Sequence, residues 1–333
     1  MQGLKELKTI LDPAASDADL LSALNCLKAE HLHQELLNAA VQEIGAAADI
    51  HPDLALELYE LGRFSMDCSG TGGSGMAHFN TSTSVAFVLA AAGFKIAKFG
   101  GRAASGKSGS FDFLESLGFN AVPLPRVADA LSVCGLAFIL APSVYPQLKR
   151  LAPLRKQLAV PTLFNYIGPL LNPVHPATRL MGISSDLARR LAAENLRQNP
   201  RTNRALLVTG AGRMDEISLD SHSEISLIEG TELQEFQLSP ESFNGLFHND
   251  GTDGKGLDYD SKTNSKIFLE IISGEDSKSH AYRMIVLNSA AALYVMKASK
   301  SISEGIVLAT ELIASRAVAE SLQTCRRFYA QLS

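Results

Sequence analysis

Two glycine-rich stretches, about 30 residues apart, constrain this chain more than any other feature. The first is Gly70-Thr71-Gly72-Gly73-Ser74-Gly75, followed by Asn80-Thr81-Ser82-Thr83. The second runs Lys98-Phe99-Gly100-Gly101-Arg102, followed by Ser105-Gly106-Lys107-Ser108-Gly109-Ser110. Each follows a strand-like run (SMDCSG, FKIAKFG) and precedes a helix-like one (TSTSVAFVLAAAG, GSFDFLESLG). Strand, glycine turn and helix in repetition specify parallel α/β architecture. Glycines let main-chain N–H groups approach an anion without a Cβ in the way. Helix N-termini add unpaired donors and a favourable dipole. Lys98, Arg102 and Lys107 bring positive charge to the same turns. Two such turns side by side suit a ligand with two phosphate groups.

The string GRAASGKS, residues 101–108, also fits the pattern of a nucleotide-binding P-loop. That reading needs an acid at the end of a hydrophobic strand to organise magnesium. The next such strand, GLAFILAP, ends in Ala-Pro, and the Asn80–Thr83 segment has no role in the scheme. A third site follows the apolar run RALLVTGAG: Arg213-Met214-Asp215-Glu216-Ile217-Ser218. Adjacent carboxylates at the carboxyl end of a buried strand lie where α/β sheets place ligands. Such a pair holds Mg²⁺ while the ion keeps several waters and bridges to a phosphate.

The rest of the chain sets the frame. Residues 1 to about 62 read as helices with apolar faces such as Leu32, Leu36, Leu37, Ala40, Val41 and Ile44. Ser16 and Asp19 form a capping-box pattern, and Gly118 is placed to end a helix. His31, His33 and His51 read as exposed helix or turn residues. Residues 147–200 mix helices with a proline-rich stretch, EISLIEGTELQEFQLSP is β-rich, and 245–264 reads as an exposed polar loop. With 30 Lys+Arg against 35 Asp+Glu there is no basic excess for nucleic-acid binding. Cys26, Cys68, Cys134 and Cys325 lack metal-site spacing and read as reduced thiols of a cytoplasmic protein. No run approaches the ~18 apolar residues of a membrane helix, and the first ten residues are too charged for a signal peptide.

Taken in order, the segments GTGGS, NTST, KFGGRAASGKSGS, APLRKQLAVPTLFNYIGPLLNP and MDEIS resemble the anthranilate phosphoribosyltransferase family over residues 66–320. The resemblance implies an α/β fold: a small all-helical domain plus a larger α/β domain with a mostly parallel central sheet. Residues 1–63, completed by about 147–185, would form the helical domain; 64–146 and 186–333 would form the phosphoribosyl pyrophosphate-binding domain. The implied activity is Mg²⁺-dependent transfer of phosphoribose from phosphoribosyl pyrophosphate to anthranilate, a step of tryptophan biosynthesis, by a cytoplasmic homodimer. Lys98, Arg155, Asp215 and Glu216 would be catalytic. Gly70, Gly73, Ser74, His78, Asn80, Thr81, Ser82, Thr83, Gly101, Arg102, Gly106, Lys107 and Ser110 would join Lys98 and Arg155 around the substrates. Ser82, Asp215 and Glu216 would hold Mg²⁺, and Arg155 would orient the acceptor's carboxylate.

Several positions depart from the family pattern. The Asp of GTGGD is Ser74, and the His and Asn of KHGNR are Phe99 and Gly101. His78, Gly106 and Tyr145 replace a Thr, a Ser and a His. Phe99, Gly101 and Tyr145 would lie on the acceptor side. A site built to hydrogen-bond a group discriminates by about 10⁴-fold or more and loses that when the partner goes. Two alternatives therefore stand beside the main reading: a paralogue using another aromatic acceptor, and a non-catalytic relative that binds phosphoribosyl pyrophosphate.

Overall fold

The computed structural model describes residues 3–72, 79–102, 108–243 and 259–332. Seven strands form one sheet in the order β3-β2-β1-β4-β5-β6-β7. They are β1 (Ser65–Gly70), β2 (Lys95–Gly100), β3 (Leu136–Leu140), β4 (Thr178–Gly182), β5 (Arg204–Thr209), β6 (Ser223–Glu229) and β7 (Glu232–Leu238). Pairing is parallel from β3 through β5 and antiparallel from β5 to β7. The mostly parallel sheet expected from the glycine turns is therefore present. Its order reverses between β1 and β4, and such switch points open a crevice at the carboxyl ends of the strands.

Four helices precede the sheet: α1 (Leu4–Leu11), α2 (Asp17–Cys26), α3 (Gln34–Ala46) and α4 (Pro52–Leu61). The capping box at α2 is formed, with Asp19 N–H donating to Ser16 Oγ at 3.2 Å and Ser16 N–H donating to Asp19 Oδ2 at 3.1 Å. His31 and His51 are exposed, and His33 is half-buried. Between the strands come α5 (Thr81–Ala91), α6 (Ser110–Ser116), α7 (Val127–Cys134), the short α8 (Ala141–Val144), α9 (Leu151–Leu158) and α10 (Asp186–Gln198). The chain closes with α11 (Ser261–Ser273), α12 (His280–Val295), α13 (Ile302–Ala314) and α14 (Ala317–Tyr329). Nearly every residue of α5 is buried, because α12 and α14 cover it on one side and β1 and β2 on the other. An all-round apolar helix can be stable only in such a setting. Gly118, at φ +87°, ends α6 as its sequence position requires.

The middle of the chain returns to the N-terminal helices. Leu163 N–H donates to the Leu27 carbonyl at 2.8 Å, Ala29 N–H to Pro161 at 3.0 Å, and Asp49 N–H to Val144 at 2.8 Å. α9 packs on α2, and α10 packs on both α3 and β5. β4 falls inside the stretch read from sequence as helical and proline-rich. Its pairing with β1 and β5 corrects that reading and puts 178–182 in the sheet. Thr-Arg-Leu-Met-Gly lacks a strand's alternation because both faces of β4 are covered, including that of Arg179, whose Nη1 donates to the Pro169 carbonyl at 2.9 Å.

Both margins of the sheet are guarded against further strands. At β3, the Tyr329 hydroxyl accepts from Phe138 N–H at 3.0 Å and donates to the Leu136 carbonyl at 3.2 Å. At β7, Glu232, Gln234, Glu235 and Gln237 stand exposed along the rim. All four cysteines are unpaired thiols, and only Cys26 is exposed. Among the described residues no helix is long and apolar enough to cross a membrane. Most of the polar stretch 245–264 lies outside the described residues.

Candidate phosphoribosyl transfer site

The acidic pair sits directly over the switch point. After β5 the chain turns so that Asp215 lies on the paired ends of β1 and β4, Gly70 and Gly182. A Cβ on Gly182 would lie 1.6 Å from the Asp215 carbonyl oxygen, and one on Gly70 would lie 2.2 Å from Asp215 Oδ2. Gly210 carries the Glu216 carbonyl in the same way, at 2.2 Å. Three glycines thus make room for two acids. The carboxylate is fixed from the first turn, where Gly72 N–H donates to Asp215 Oδ2 at 2.7 Å. Thr71 and Ser184 brace that turn: Ser184 Oγ donates to the Gly72 carbonyl at 2.7 Å and Ser184 N–H to Thr71 Oγ1 at 3.1 Å. From α12, Asn288 Oδ1 accepts from Ile217 N–H at 3.0 Å and steadies the far side.

Ser82, Thr81, Asp215 and Glu216 line one small cavity. Glu216 is half-buried; desolvation and then the Asp215 charge push its carboxyl well above the usual range, while Thr81 and Lys98 act in the opposite direction. Lys98, 2 % exposed, reaches from β2 across to β1, donating to the Cys68 carbonyl and to Ser82 Oγ at 3.3 Å. Burial lowers its pKa; Asp67, Cys68, Asp215 and Glu216 raise it. Two adjacent carboxylates, a hydroxyl and a buried ammonium fit Mg²⁺ with a phosphate-rich ligand: the ion takes one or two carboxylates and fills its shell with water and phosphate oxygens. A cation there would relieve the cost of ionising Glu216 beside Asp215.

The two turns meet at their far ends. Ser108 Oγ donates to Asn80 Oδ1 at 3.1 Å, and Asn80 N–H donates to Asn264 Oδ1 on α11 at 3.2 Å. Gly70, Asn80, Thr81, Ser82, Thr83, Lys98, Asp215 and Glu216 therefore cluster at the carboxyl ends of β1, β2 and β5. Gly101 and Ser110 flank the second turn, where Phe111 N–H approaches the Gly101 carbonyl at 3.4 Å. Gly73, Ser74, His78, Gly106 and Lys107 lie outside the described residues. Arg102 behaves otherwise than its position among the glycines suggests. It is 56 % exposed, donates to Glu115 Oε2 at 2.7 Å, and also meets Asp112, so it is paired to the helix that follows it. Arg155 stands on α9, where its Nη2 donates to Asn165 Oδ1 at 3.2 Å. Its buried Nε meets no acceptor among the described residues.

Two of the altered positions touch each other. Phe99 and Tyr145 are buried with ring centroids 6.2 Å apart, edge to face, and the Tyr145 hydroxyl donates to the Leu171 carbonyl at 2.8 Å. Among the described residues, a Cβ on Gly101 would meet nothing within 4 Å. Sequence reasoning missed Asp67, Asn172, Ser184, Asn288 and the glycines Gly182 and Gly210. Asn172 and Asn288 lie inside the segments GPLLNP and VLNSAAALYV, and a polar amide amid apolar neighbours was the available signal.

A mostly parallel sheet with an acidic pair between glycine-tipped strands defines a phosphate-handling transferase, and residues 63–318 match the family model described as glycosyl transferase family, a/b domain. An anthranilate phosphoribosyltransferase of Bacillus cereus is 43% identical over 253 residues, 75% of this chain and 72% of the relative. Among solved structures, the anthranilate phosphoribosyltransferase from Saccharomyces cerevisiae in complex with phosphoribosyl pyrophosphate and Mg superposes with a TM-score of 0.82. It is 26% identical, covering 99% of this chain and 92% of that one. The enzyme from Thermus thermophilus gives 0.79 at 28% identity, covering 99% and 94%. The chain belongs to the anthranilate phosphoribosyltransferase family.

Proposed function

We propose that this chain transfers phosphoribose from phosphoribosyl pyrophosphate to anthranilate, with Mg²⁺, releasing pyrophosphate. The observation that carries the reading is the bond from Gly72 N–H to Asp215, which joins the first glycine turn to the acidic pair beside Lys98. The relatives' activity agrees with it. The described part of the site is read as follows. Backbone donors of the turn beginning at Gly70, together with Asn80 and Thr83, hold the pyrophosphate, and Lys98 stands beneath them with a buried positive charge. Ser82, Asp215 and Glu216 would hold Mg²⁺, which when bound neutralises charge on the leaving group. As the bond from the anomeric carbon to pyrophosphate lengthens, negative charge grows on the leaving oxygens, and preorganised donors stabilise it without reorganising. An aromatic amine is neutral at pH 7, so positioning supplies much of the rate. Arg155, with its unpaired Nε, is read as the partner of the acceptor's carboxylate. The N-terminal helices with the middle segment form a helical domain in this reading, with the site in the cleft beside the sheet. Copies pair through that domain, where Leu56 is exposed. Unpaired thiols suit a cytoplasmic setting.

One specific observation favours a second reading, in which the acceptor is another aromatic amine or acid. The Phe99–Tyr145 contact and the open space at Gly101 leave a roomier, less polar lining than a histidine and an asparagine would. A pyrophosphate-release screen with phosphoribosyl pyrophosphate, Mg²⁺ and a panel of aromatic amines and acids tests both. Release with anthranilate supports the first reading and release only with other acceptors supports the second. Mg²⁺-dependent binding with no release on any acceptor rejects both. Gly101→Asn is expected to raise kcat/KM for anthranilate, because the open space admits the side chain and its amide supplies a missing donor. An unchanged kcat/KM would remove Gly101 from the acceptor pocket.

A further inference from the structure

β1 and β2 carry the two glycine turns, yet their paired register covers only Ser65↔Lys95 and Met66↔Ile96. On their other sides the same strands stay paired to their last residues, Gly70 with Gly182 and Gly100 with Leu140. Beyond Met66 and Ile96, side chains take up main-chain acceptors between the two strands. Lys98 Nζ donates to the Cys68 carbonyl, and Asn172 Nδ2 donates to the Ala97 carbonyl at 2.8 Å. Asn172 comes from the segment between α9 and β4, where its Oδ1 accepts from Val174 N–H at 3.0 Å. The same Nδ2 donates to Asp67 Oδ2 at 3.0 Å. Asp67 and Asn172 are both fully buried, at 0 % exposure. Asp67 stands three residues before Gly70, and Ala97 three before Gly100. One amide thus touches both strands at matched distances from their turns.

The geometry points to Asp67 and Asn172 as a positioning pair: wedged between β1 and β2, they set the separation of the two glycine turns and so the grip on the pyrophosphate end of the donor substrate. This rests on the functional reading above. Neither side chain touches the reacting atoms; they act through the strands that do. A buried carboxylate is expensive unless it is paired; the Lys98 and Arg179 charges support this one, and Asn172 ties it to β2. A polar pair here therefore fits a positional role better than a packing one.

The test is steady-state kinetics, with calorimetric titration of phosphoribosyl pyrophosphate in Mg²⁺, on Asp67→Ala, Asn172→Ser, their double variant and Asp67→Asn. The single variants are expected to raise KM and Kd for phosphoribosyl pyrophosphate by about tenfold to a hundredfold, the scale of a misplacement near 1 Å. The acceptor KM should stay within about twofold, because uniform loss of binding on one substrate leaves the other unaffected. The double variant should be no worse than the poorer single, as for residues acting as one unit. Asp67→Asn keeps an acceptor of the same size for Asn172 and should recover most of the loss. Unchanged donor affinity in the variants, or equal loss for both substrates, overturns the pair's role. Should Asp67→Ala fail to fold, Asn172→Ser decides alone. If the wild-type chain takes up no phosphoribosyl pyrophosphate, the functional reading itself falls and the pair's role falls with it.

Discussion

Asp215→Ala combined with Glu216→Ala is expected to abolish pyrophosphate release while leaving the fold intact. Both acids rest on main-chain platforms, so truncating them opens space and strains nothing. Loss of metal-borne charge stabilisation is worth several kcal/mol, and each 1.36 kcal/mol is tenfold in rate, so a drop of about a thousandfold or more is expected. Stability should move the other way. Glu216 is a partly buried carboxyl beside a second one, and removing it relieves a desolvation cost. Gly72 N–H loses Asp215, but Gly72 is exposed and water replaces the bond. A melting curve beside a pyrophosphate assay checks both halves. Retained turnover would sink the metal assignment, and a collapsed melting temperature would make the acids structural.

Gly182→Ala is expected to be nearly as damaging by a different route. Its Cβ would stand 1.6 Å from the Asp215 carbonyl oxygen and 2.3 Å from the carbonyl carbon. Those are main-chain atoms with no rotamer to yield, so the whole 214–217 turn must shift. Overpacking of this kind costs about 1–3 kcal/mol of stability, occasionally more. A displacement near 1 Å costs about a hundredfold in rate. Gly70→Ala offers the control, because its Cβ meets the Asp215 carboxylate, a side chain that can turn aside. Gly182→Ala should therefore lose more stability than Gly70→Ala in parallel thermal melts and turnover assays. Wild-type kcat and melting temperature in Gly182→Ala would show that the acids do not depend on this seat.

The parts of the site that could be read from sequence were local ones. A strand, a glycine turn and a small-residue helix occur in succession, so β1, α5, β2 and the two turns could be recognised from short windows. Asp215-Glu216 could be placed because RALLVT reads as a buried strand and the acids follow it closely. What escaped was set by distance along the chain or by partners on other elements. Asp67 meets Asn172 across 105 residues, and within SMDCSG it reads only as one polar residue of a strand. β4 hid because Arg179 interrupts its apolar run, and the distant Pro169 carbonyl and Asp67 carboxylate explain how that guanidinium is buried. Arg102 sits among the glycines in sequence, but Glu115, thirteen positions on, takes its guanidinium. Gly182 and Gly210 acquire meaning only when Asp215 and Glu216 are seen resting on them.

The guarded rims of the sheet bear on how copies of this chain can associate. A phenol occupies the hydrogen-bonding groups of β3, and a row of carboxylates and amides fringes β7. Strand-to-strand docking of a neighbour is disfavoured at both sides, since charged rims and covered edges suppress it. Surfaces other than the two sheet edges are then the favoured ground for any association between copies.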